Sequence, residues 1–295
     1  MDNEYILKQK EMKARGEVVP GCADCVFKSL LQLDDLKGIL VYMLSEITGL
    51  DKTYINENLK FTNTEIPKDN YLEKGKITDL LIDISDNRIN LEMNRILNEG
   101  NPNKSNSYHH NLAGSNLYKS KSYTNFRKII QICFNKKDTL EKFGKQSIVE
   151  FKMRSKDGKY CLDENFINYQ INLEEIHDKY YNKGEEISRL EKILLLLTIE
   201  KDLEKISKGD KELIVMKERI KDFSEDPLLV GLYDEEKARE QINAINIEAA
   251  KKEGLVEGSK QKELEIAKNM LIENADISFI CKVTNLTKEE IEKLN

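Results

Sequence analysis

Residues 77–94, ITDLLIDISDNRINLEMN, limit the fold more than any other stretch of this chain. Aliphatic and polar residues alternate on both sides of Ser85-Asp86-Asn87-Arg88. Such alternation marks strands that bury one face. Asp and Asn tolerate the positive φ of a two-residue hairpin loop, so Asp86 and Asn87 are read as the centre of the turn. That register sets Asp79 opposite Asn94 and Glu92 opposite Leu81. Asp79, Leu81 and Asp83 then share a face with Arg88, Asn90, Glu92 and Asn94. Leu80, Ile82, Ile84, Ile89, Leu91 and Met93 line the other face. A three-residue loop would shift the pairing by one and part Asp79 from Glu92. The aliphatic side demands a core; by alternation alone, the charged side is solvated surface.

Around this ribbon the pattern is mixed. Val26, Phe27, Leu30 and Leu31, then Leu36, Ile39, Leu40, Met43, Leu44 and Ile47, recur at helical spacing. Asp24 is the expected N-cap of the first helix and Gly49 the stop of the second. Residues 58–66 suggest a strand, 97–102 a loop and 105–118 a polar helix. Residues 128–134, 148–154 and 165–173 read as strands, with a turn at Lys156-Asp157-Gly158-Lys159. From about residue 185 nearly everything is helical. One amphipathic helix is expected over 187–206 and a second over 211–223, stopped by Asp226-Pro227. A long Glu/Lys/Ala-rich helix follows over 234–274, interrupted by Gly254 and Gly258. Thr287 and Glu290 form a capping box. The two short helices around Thr284-Asn285-Leu286 have the spacing of a helix-turn-helix, or of a small packing unit. The expected architecture is a flexible lead-in over 1–20, an α/β domain over 21–185 and an all-helical region over 186–295. The α/β domain would be an α+β-like mixed sheet with flanking helices.

Composition removes several classes of function. The 295 residues suggest about two domains, and 34% of them are charged. No apolar run approaches the ~20 residues of a membrane span. The first seventeen residues lack the apolar core of a signal peptide, so a cytoplasmic protein without a membrane partner is expected. Five irregularly spaced cysteines are no disulfide framework. Cys22 and Cys25 form a C-x-x-C without the second ligand pair that structural zinc needs. A net charge of −6 excludes a wholly basic nucleic-acid coat but allows a local basic groove. No phosphate-cradling glycine loop, G-x-S-x-G or H-E-x-x-H is present.

An Asp and a Glu meeting on one strand face can hold a hard divalent cation, which activates water and neutralises phosphate charge. Here the residues resemble a known family. Asp79 followed by Leu91-Glu92-Met93-Asn94 after a hairpin resembles the D…(D/E)-x-K core of PD-(D/E)XK nucleases. The likeness is to the branch of recombination-promoting nucleases and transposases, whose second strand often reads I-E-M-Q. Asp24-x-x-Phe27-Lys28 is similar to its D-x-x-F-K, and residues 118–134 to its Y…I-x-I-x-F. The segment from Glu253-Gly254 and Glu257-Gly258 to Val283-Thr284-Asn285-Leu286-Thr287 and Ile291 is similar to its closing helices.

The resemblance implies a restriction-endonuclease-like core and a Mg²⁺-dependent DNA endonuclease, with Mn²⁺ as a substitute and a link to recombination or mobile DNA. Asp79 and Glu92 would be metal ligands, with the main-chain carbonyl of Met93 as the third. Asn94 stands where the motif lysine would be; it can orient a water but carries no charge. Lys28, Lys74, Lys76, Arg88 and Arg95 are candidates for a relocated cation, and Glu46 for an added carboxylate. His109 and His110 are candidates for phosphate contact, against a reading as ordinary polar residues; His177 has no evident partner. Two alternatives stand beside the enzyme. One is an impaired relative that binds DNA or protein; the other is a helical assembly protein that forms a homodimer through its C-terminal helices.

Overall fold

A computed structural model describes residues 3–66, 76–95, 101–115, 127–136 and 146–294. Lys74 and residues 118–126 of the stretch 118–134, both singled out above, lie outside the described residues. Four helices come first: α1 (Asn3–Ala14), α2 (Asp24–Leu31), α3 (Lys37–Thr48) and α4 (Lys52–Asn58). Strands β1 (Leu59–Thr62), β2 (Glu65–Ile66) and β3 (Lys76–Ile77) lead to the hairpin β4 (Leu80–Ile84) and β5 (Asn87–Asn94). Then follow α5 (Asn101–Ser115), β6 (Lys128–Asn135), β7 (Ile148–Arg154), β8 (Cys161–Asn172), α6 (Leu173–Tyr181) and α7 (Arg189–Thr198). The chain closes with α8 (Leu203–Ser207), α9 (Lys211–Ser224), α10 (Pro227–Ile272), α11 (Ile277–Thr284) and α12 (Lys288–Glu292).

Six strands form one sheet in the order β1-β4-β5-β6-β8-β7. β5 runs parallel to β6 and β6 to β8, and the remaining pairs are antiparallel. One face carries Leu80, Ile82, Ile89, Leu91, Ile130, Ile132, Phe134 and Ile171, all fully or nearly fully buried. These residues join one core with α2, α3, α7 and α9, through Phe27, Leu40, Leu194 and Met216 among others. Burying each such side chain contributes roughly 1.5–3 kcal/mol. The opposite face is covered by α5, where Leu112 meets Leu81 and Ile129. This mixed sheet with flanking helices is a restriction-endonuclease-like α/β arrangement.

The hairpin turns one residue earlier than the sequence suggests. Ile84 pairs with Asn87 and Asp83 with Arg88, so the loop is Ser85-Asp86. Ser85 takes the positive φ, 51°. Asn87 stays in the ladder, where its Nδ2 donates to the Ile84 carbonyl and the Tyr54 hydroxyl, each at 3.4 Å. Moving the loop by one residue moves the pairing by two, which is the side-chain period. The faces therefore keep their members, while every cross-strand partner changes.

Other boundaries also differ. The lead-in read as flexible contains α1, held by Tyr5 to Glu235 (2.6 Å) and by Lys8 to Asp234 (2.7 Å). The helix expected over 187–206 is two helices, broken at Asp202 (φ 65°). The chain leaves the first at Ile199, and the Glu200 carbonyl accepts the Val18 N–H at 2.9 Å. α10 starts at Pro227, which suits a first helical position, and runs unbroken through Gly254 and Gly258. Of the loop expected at 97–102, residues 97–100 lie outside the described residues, and Asn101 and Pro102 open α5.

The chain divides into two compact units, Met1–Ala238 and Arg239–Asn295. The composition change near 185 marks where strands stop; α7–α9 belong to the first unit's core. The second unit has its own small core of Ala267, Ile280, Leu286 and Ile291. Its last helix begins at the Thr287–Glu290 capping box. Among the described residues no helix is long and apolar enough to cross a membrane.

Candidate active site

β4 begins at Leu80, so its pairing with β5 ends at Leu91 and leaves the Met93 N–H beyond the last paired residue. A buried backbone donor requires an acceptor. The Asp79 carboxylate supplies it, accepting from Met93 at 2.6 Å. This bond fixes Asp79 beside Glu92, whose side chain is only 2% exposed. Two carboxylates held together away from water are each harder to ionise. Burial and then the neighbouring Asp79 push Glu92 up to about 7. Asp79 is also raised, chiefly by burial, against the pull of the Met93 N–H.

The only cation in contact with Glu92 among the described residues comes from α5. Lys104 Nζ lies 3.0 Å from Glu92 Oε2. Burial opposes its charge, but Glu92 and Asp79 outweigh that and raise its pKa. The other Glu92 oxygen accepts from Asn90 Nδ2 at 3.3 Å, and that amide also donates to Gln131 Oε1 at 2.9 Å. Asn94 joins the same polar layer, with Nδ2 donating to Asn135 Oδ1 at 3.0 Å. Asn135 continues it to Gln170 Oε1 at 3.1 Å. Asn90, Gln131 and Asn135 are almost wholly buried. Their amide N–H groups are partnered, which lowers the cost of burial, and Asn90 fixes the carboxylate it touches.

A family model for PD-(D/E)XK nuclease family transposases matches residues 22–250. The chain belongs to that family. No curated protein and no solved structure matched it. Membership implies a nuclease-like function with DNA as its substrate, and nucleases of this superfamily generally use divalent metals.

The donor set of this family member fits such an ion. Asp79 and Glu92 offer hard oxygens side by side, and burial holds both carboxyls above their usual range. No group of three or more His, Cys, Asp or Glu side chains converges among the described residues. The remaining positions would fall to backbone oxygen and water, as Mg²⁺ readily accepts.

The other candidates lie in different settings. Arg88 grips Asp83 through two bonds, 2.7 and 2.9 Å, and Arg127 adds a third at 3.0 Å. It sits at the turn end, ~13 Å along the strand from Glu92. Glu46, at the exposed end of α3, pairs with Lys52 at 3.0 Å. Neither reaches the carboxylate pair. Lys28 does face it, lowering the Asp79 pKa, with its Nζ 3.5 Å from Thr64 Oγ1. Arg95 is buried against Glu236 and lies over the Tyr233 ring. Glu236 in turn accepts the Asp24 N–H at 3.2 and 3.3 Å, which completes the N-terminus of α2. Asp24 is thus the first residue of the helix, behind an Ala23 cap, and its charge raises Asp79.

The histidines act structurally. His109 bonds the Ile129 carbonyl through Nε2 at 3.1 Å and stacks on Phe166 at 3.4 Å, pinning α5 to the sheet. Burial lowers it to about 4, so it is neutral at pH 7. His110 is exposed and its Nδ1 lies 2.7 Å from the Asn106 carbonyl, while His177 packs on Tyr181. Sequence reasoning missed Lys104. Its only trace was the stripe Ser105, His109, Leu112 that tells which side of α5 is buried.

Proposed function

We propose that this chain is a divalent-cation-dependent DNA endonuclease, acting in the cytoplasm on DNA during recombination or transposition. The observation that carries the reading is the buried pair of Asp79 and Glu92, side by side, in a chain of a nuclease family. Asp79 and Glu92 would hold Mg²⁺ or Mn²⁺, with the Met93 carbonyl as a further ligand. When bound, such an ion supplies an activated water and neutralises charge on phosphate oxygens. Hydrolysis then joins the water oxygen to phosphorus as a bridging P–O bond breaks, and the departing oxygen takes a proton. The protein's part is to hold the two carboxylates rigid through the Met93 N–H and Asn90, and to keep water off their inner side. Asn94, tied to Asn135, would orient the attacking water without supplying charge.

The test is plasmid nicking in Mg²⁺ or Mn²⁺ by the wild type and by Asp79→Ala. Nicking by the wild type and its loss in the variant is expected; equal nicking by both removes Asp79 from the mechanism. Asn94 favours a second reading, in which an impaired relative binds DNA without cutting it. That reading predicts no metal-dependent nicking, but binding that weakens linearly in log–log plots against salt. Exposed Ile242, Ile245, Leu255 and Val256 on α10 support self-association through the second unit, which solution mass would reveal.

A further inference from the structure

Cleaving a phosphodiester puts extra negative charge on the phosphate, beside carboxylates that already repel it. A fixed cation aimed at that charge is worth far more in a water-poor site than in bulk solvent. Within this chain, the position two residues after Glu92 holds a neutral amide bound to Asn135. Arg88 is committed to Asp83 and Arg95 to Glu236. Lys104 alone among the described cations touches the carboxylate pair. Its side chain is 42% exposed whereas that of Glu92 is 2% exposed, so it runs from the buried acid out to solvent. Its ammonium therefore lies against the carboxylate pair while part of the side chain stays open to solvent. Nζ lies 5.3 Å from the centroid of the Tyr108 ring, and the flexible lysine stem allows it to pivot from Glu92 Oε2 to a phosphate oxygen.

On the reading of the chain as a DNA nuclease, we infer that Lys104 is the phosphate-binding cation of the site. It donates from Nζ to a non-bridging oxygen of the phosphate being cut. Lys104 thereby supplies from α5 the charge that Asn94 does not supply from β5.

The test compares the full-length wild type with Lys104→Met and Lys104→Arg. First, binding of a short DNA duplex is measured against salt in EDTA, where no divalent ion is present. Lys104→Met is expected to lower the slope of log affinity against log salt by about 1, and Lys104→Arg to keep it. Second, plasmid nicking is measured in Mg²⁺. Lys104→Met is expected to lose ~100-fold or more, and Lys104→Arg to retain most activity. An unchanged slope in Lys104→Met overturns the inference whether or not the wild type cuts. A reduced slope with undiminished nicking also overturns it, because the contacted phosphate is then not the one cut. A wild type that never nicks, with the slope still reduced in Lys104→Met, overturns the endonuclease reading and leaves the phosphate contact standing. Thermal melts of both variants check folding, and Lys104→Arg preserves the charge if Lys104→Met unfolds.

Discussion

At the scale of residues, the site is governed by charge held away from water. Glu92, at about 7, binds its proton more tightly in the folded chain than in the unfolded one, whose value is near 4.5. Between those values the folded state holds more protons, so metal-free stability falls as pH rises. One such group contributes a slope of at most ~1.4 kcal/mol per pH unit. Glu236, also raised to about 7 by burial, adds a slope of the same sign. Glu92→Gln is therefore expected to reduce, not abolish, the fall in urea midpoint between pH 5 and pH 8. His109, lowered to about 4 from 6.5, adds a slope of opposite sign below about pH 6.5, so a wild-type midpoint that rises between about pH 6.5 and 8 would contradict the burial of these acids. Divalent-ion affinity, measured by calorimetry, should rise over the same window, since the cation competes with the proton.

At the scale of elements, two junctions hold the site together. α5 is fixed on the polar face of the sheet by His109, Leu112 and Ser105, and this places Lys104 over Glu92. The start of α10 meets α2 through Glu236, which bonds Arg95 and the Asp24 N–H together. Glu236→Ala leaves the Arg95 guanidinium buried without that carboxylate and uncovers the end of α2. A loss of ~3–5 kcal/mol in urea unfolding is expected. A loss below ~1 kcal/mol would mean that the pair is dispensable.

At the scale of the whole molecule, the two units have separate cores. The first unit's core ends at Tyr233, and the second draws on residues 264–294. Every candidate site residue lies in the first unit. Truncation after Ala238 is therefore expected to leave the main thermal transition within a few degrees of the full-length value by calorimetry. A collapse of that transition would show that the second unit supports the first.

Which residues share a face of the hairpin was legible from the residue order alone, because the strand period of two is a property of the backbone. That order also marked the aliphatic core side, Gly49 as a helix stop (φ 74°) and the Thr287 capping box, all local features. The rest came from contacts between elements. The ladder, through the Asn87 bonds to Ile84 and Tyr54, moved the turn to Ser85-Asp86. The same register set Arg88 opposite Asp83, and packing broke the helix expected over 187–206. It also brought Lys104 to Glu92 from a separate element. Which side chains of distant elements meet depends on where α5 lands on the sheet, and no periodicity within α5 or β5 encodes that landing.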